Sequence, residues 1–60
     1  MDNPEYNLKL TCIELIEDLE ALGNRCKHQC PDAQIYTMHS VALLKLMEQF
    51  LVNEMRKNGS

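Results

Sequence analysis

Long apolar runs, clustered basic residues and an even set of cysteines are all missing from this 60-residue chain, and each absence removes a class of function. The longest uninterrupted apolar stretch is Val41 to Leu44, whereas a helix needs about 18 such residues to cross a bilayer, so no membrane partner is expected. Only six residues are basic, the net charge is −3, and Arg56 and Lys57 are the one adjacent basic pair. A nucleic-acid surface draws most of its affinity from clustered Lys and Arg; here the pair sits where it complements a helix C-terminus. Three cysteines cannot all pair within the chain, and Met1-Asp2-Asn3-Pro4 is not a basic segment followed by an apolar one. Both features point to a reducing, cytoplasmic location.

Chemistry is also missing. Cys26, His28, Cys30 and His39 bear ligand-type side chains, but a structural zinc site draws paired ligands at short spacing from two places. Here Cys26 and Cys30 share a helical face from which His28 points away, and there is no second pair. A disulfide between Cys26 and Cys30 is awkward within an intact helix. A nucleophile needs a base held in line by a third group, and the neighbours His39 and Ser40 point about 100° apart on a helix. No catalytic residue, metal or cofactor is expected, and the chain reads as a non-enzyme. Cys12 and Cys26 read as small core residues.

The remaining signal is helical periodicity. Asn3 suits an N-cap, Pro4 the first helical position and Glu5 the first turn. Leu8, Cys12, Leu15, Leu19, Leu22 and Cys26 then alternate at spacings of four and three, the register of a coiled-coil seam. Ile16 widens the apolar arc to roughly 120°, while Glu14, Glu17, Asp18 and Glu20 form a solvated acidic face. Gly23 costs about 1 kcal/mol inside a helix, yet Cys26 keeps the register, so helix 1 is expected over about 4–28. Pro31 breaks it and opens a second helix, with 29–31 as the turn. A connection this short makes the helices antiparallel neighbours.

Helix 2, expected over about 31–57, differs in kind. Ala42, Leu46, Phe50, Leu43, Met47, Leu51, Leu44 and Met55 span roughly 220°, about twice what one neighbouring helix covers. Leu46 and Ala42 are expected against helix 1, Leu44 and Leu51 on the outer arc, and Phe50 at the border. Met38, Met47 and Met55 suit an adaptable surface, and Tyr6 and Tyr36 are expected to edge the core.

The polar break bearing Cys30, followed by Pro31-Asp32-Ala33-Gln34-Ile35-Tyr36 and the run from Leu43 to Leu51, resembles the small helical-hairpin co-chaperones of type III secretion needle subunits. In that family the hairpin pairs with a larger helical-repeat chaperone, and the two hold the needle subunit monomeric in the bacterial cytosol. The resemblance implies a partner-facing role for Leu43, Leu44, Met47, Phe50 and Leu51, which Met55 extends along the same arc. Plasmid-copy-control and phycobilisome-degradation adaptors share the layout and would show the same pattern.

The expected fold is therefore an all-α, two-helix antiparallel hairpin, 1–60 forming one domain completed by a partner or by oligomerisation. Below about 70 residues a single core rarely suffices alone. The leading expectation is a chaperone or adaptor that binds another protein; the alternative is a homodimeric four-helix-bundle regulator.

Overall fold

A computed structural model describes residues 3–59; Met1 and Asp2, on which the leader argument rests, and Ser60 lie outside the described residues. The chain is an all-α hairpin of helix α1, Pro4–Gln29, and helix α2, Gln34–Gly59, joined by a 3-10 turn, Pro31–Ala33. Each helix has 26 residues, and the molecule measures 46 × 18 × 10 Å.

The start of α1 follows from its cap. The Tyr6 amide donates to Asn3 Oδ1 at 3.1 Å, the Asn7 amide donates to the Asn3 carbonyl at 3.0 Å, and Pro4 supplies no amide where none is needed. The end follows from Pro31. The residue before a proline avoids the helical region, and Cys30 leaves it at φ −153°, ψ 81° while its amide still donates to the Cys26 carbonyl. Pro31 opens the 3-10 turn, closed by the Ala33 amide on the Cys30 carbonyl at 2.9 Å, and not α2 itself. The α-helix expected from Pro31 thus begins three residues later, at Gln34, and runs two residues beyond Lys57.

Two contacts fix the antiparallel register. Near the turn Thr37 packs on Gly23, so closely that a β-carbon on Gly23 would lie 2.9 Å from Thr37 Oγ1. At the open end Asn58 Nδ2 donates to Glu5 Oε1 at 3.3 Å. Gly23 is therefore an uninterrupted part of α1 that lets the helices approach. The Thr37 hydroxyl is satisfied locally, donating to the Gln34 carbonyl at 2.7 Å.

The seam on α1 is rotated from the expected one. Cys12 and Ile16 are buried with Gly23, Leu19 and Cys26 are half-buried, and Leu8, Leu15 and Leu22 are exposed. The series Cys12, Leu19 and Cys26 belongs to both registers; what changes is its companion, Ile16 and Gly23 in place of the three leucines. The physical reason is close approach: Gly23 admits Thr37 of the neighbouring helix, and the three leucines are left in solvent on one flank.

On α2 the inner face is Thr37, Val41, Leu44, Glu48, Leu51 and Met55, again at spacings of three and four, with Thr37 and Leu51 buried and the others half-buried. The expected orientation is thus corrected: Leu51, only 5% exposed, belongs to the core, while Leu46 and Ala42 face solvent. The seating of Thr37 on Gly23 sets this rotation and carries it along the rigid helix.

Candidate functional site

Among the described residues three apolar side chains are buried, Cys12, Ile16 and Leu51, while twelve large ones are exposed. A single exposed leucine is ordinary, but a contiguous apolar face marks an interaction surface. Half of the exposed set, Ile35, Tyr36, Leu43, Leu46, Met47 and Phe50, lies on one side of α2.

On the outer side of α2, Tyr36, His39, Leu43, Leu46 and Phe50 recur at spacings of three and four and continue to Asn53. This is a second seam, on the opposite side of the helix from the one that holds α1. Leu46 is 69% exposed and Phe50 61%, with Ile35 and Met47 flanking them in solvent. Tyr36 stands on this seam at 73% exposure and does not edge the core as expected; Tyr6 on α1 is exposed too.

The expected partner-facing residues consequently divide. Leu43, Met47 and Phe50 are exposed on the outer seam or its flank; Leu44 and Met55 are half-buried towards α1; Leu51 is in the core. The structure brings Leu46 to the centre of the outer seam, where sequence reasoning had assigned it to the helix 1 contact. The signal that finds it is the 36-39-43-46-50 spacing, which competes with 37-41-44-48-51 for the same helix. Periodicity alone does not rank the two.

The three leucines of α1 form a further exposed stripe at intervals of seven. The other side of the hairpin has a shallow groove of about 600 Å³ between Glu20 and Asn24 on α1 and Gln34, Met38 and Lys45 on α2, floored by Gly23 and Thr37. Positions 8, 15 and 22 lie across the α1 seam from Glu20, as Met47 lies across the α2 seam from Lys45. The hairpin therefore carries on one side a groove of mixed lining, with Leu19, Val41 and Ala42 beside its polar residues, and on the other the leucine stripe.

The ligand-type side chains do not converge. Cys26 is half-buried, His28, Cys30 and His39 are exposed, all three cysteines are free thiols, and among the described residues no three His, Cys, Asp or Glu side chains are grouped to hold a metal ion. Glu14, Glu17, Asp18 and Glu20 are exposed. The ion pair of Lys57 with Glu54, 3.3 Å apart, is at the surface and adds little stability. No described helix is long and apolar enough to cross a membrane.

No family model, curated protein or solved structure matches this chain.

Proposed function

We propose that the protein is a non-enzymatic protein-binding module, a small cytoplasmic chaperone or adaptor that docks a helical partner on the outer face of α2. The observation that carries this reading is the exposed seam Tyr36, His39, Leu43, Leu46 and Phe50. It has the spacing by which an amphipathic helix presents anchors to a groove or to another helix. Aromatic anchors of this kind, desolvated near the centre of an interface, supply much of its binding energy, and the leucines add buried apolar area. Met47 beside them adds a side chain that adapts to different partner shapes.

The resemblance to the needle-subunit co-chaperones of type III secretion gives the reading a specific form. In it, Leu43, Met47 and Phe50 contact a larger helical-repeat chaperone, and the pair shields a secretion substrate from premature assembly.

The test compares baits. Parent chain and a Phe50→Glu variant are used to capture proteins from the source cytosol, with Glu17→Gln, on the solvated face of α1, as control. The expected result is a partner retained by parent and control and lost with Phe50→Glu, which keeps its helicity by circular dichroism. Identical capture by all three baits overturns the reading.

A further inference from the structure

We infer that, when no other partner is bound, the outer face of α2 is covered by a second copy of this chain, in an antiparallel, twofold-symmetric pair of α2 helices. This deepens the docking proposal above and rests on the same surface.

Area comes first. A folded monomer of 7.0 kDa is expected to expose about 4,000 Å², and this chain exposes 4841 Å². The excess, about 800 Å² per chain, is what each partner contributes to a standard-sized interface.

The order of residues along the seam selects the occupant. A twofold axis passing between Leu43 and Leu46 sets Leu43 of one copy against Leu46 of the other, His39 against Phe50 and Tyr36 against Asn53. Each layer then occurs twice, as an isologous interface requires. Four leucines form the centre, two aromatic layers flank them, and hydrogen-bonding side chains close each end.

Charge agrees. The flanking positions Ile35, Ser40, Ala42, Met47 and Gln49 carry none. Glu54 and Arg56 fall opposite Ser40 and Ile35 of the second copy, so the net charge of −3 brings no like pair together at the interface. A parallel pair would instead set Arg56 and Lys57 beside their own copies.

The experiment has two arms on the full chain. In sedimentation equilibrium at micromolar concentration the parent and Leu15→Glu should show twice the 7.0 kDa chain mass, and Leu46→Glu the single mass with helicity retained. The second arm decides register, and holds even if Leu46→Glu does not fold. In a Cys26→Ser/Cys30→Ser background, His39→Cys and Phe50→Cys are made separately. Within the antiparallel pair each new thiol lies about 16 Å along the helix axis from its own copy, beyond disulfide reach. Oxidation of either variant alone should leave monomer on a denaturing gel, and oxidation of the mixture should give the cross-linked heterodimer.

A monomeric parent overturns the second copy as occupant and leaves the docking reading to the bait comparison. A parent dimer dissolved by Leu15→Glu and not by Leu46→Glu overturns it in favour of the α1 leucine stripe. Cross-linking of each single variant with itself overturns the antiparallel register.

Discussion

The two faces of α2 are cut from the same 26 residues, carry the same spacing and hold four apolar side chains among six each, yet only one of them packs inside the hairpin. The inner face includes Thr37 and Glu48 beside Val41, Leu44, Leu51 and Met55; the outer includes His39 and Asn53 beside Tyr36, Leu43, Leu46 and Phe50. A count of apolar residues does not choose between the two faces. What decides the matter is how closely the backbones approach. Gly23 receives Thr37, so near the turn the inner contact is short and shape-driven, while the face bearing Tyr36 and Phe50 is left outside. A hairpin with so little buried apolar surface has a small margin of stability, while its outer face keeps a large apolar area in solvent.

The largest expected break in this comparison uses neighbours in sequence. Leu51→Glu places a carboxylate in the core and should cost about 3 to 5 kcal/mol, enough to abolish the helical signal at ambient temperature. Phe50→Glu, one residue away and 61% exposed, should leave the hairpin helical and remove only association. Equal losses of helicity would show that the two faces are not distinct.

The same test sharpens the reading of α1. Ile16→Ala should lower stability by about 2 to 4 kcal/mol in chemical denaturation, whereas Leu15→Ala should change it by less than about 1 kcal/mol. The reverse order would restore the seam of Leu8, Leu15 and Leu22.

Gly23→Ala sets helix propensity against packing. The gain of about 1 kcal/mol from removing glycine is opposed by overpacking against Thr37 Oγ1, and a net loss of about 1 to 2 kcal/mol is expected. Adding Thr37→Ala should recover most of it, a coupling that a double-mutant cycle measures. Additive effects would mean that the notch does not set the approach. Smallest of all, Asn3→Ala should cost about 1 kcal/mol through the lost cap on the Tyr6 amide, read as a lowered melting temperature with the outer face unaffected.

Much of the architecture was legible from local rules. The cap at Asn3 and Pro4, the break at Pro31 and the antiparallel pairing follow from the chemistry of single residues and a short connection. So does the surplus of apolar surface on α2, because an arc wider than one neighbour covers is a count of residues around a helix. The rotation of each helix about its axis was not legible. Leu8, Leu15 and Leu22 make as good a seam with Cys12, Leu19 and Cys26 as Ile16 and Gly23 do, and Leu46 has as much reason to be buried as Leu51.

The sequence by itself determined two helices, their ends, their antiparallel order and the presence of more apolar surface than a hairpin can hide, since all of these rest on backbone propensity and periodicity within about one turn of chain. Only the tertiary structure decided which side of each helix became the core. That choice depends on interhelical distance, and the distance is set where Gly23 meets Thr37, two residues fourteen apart that no local rule connects.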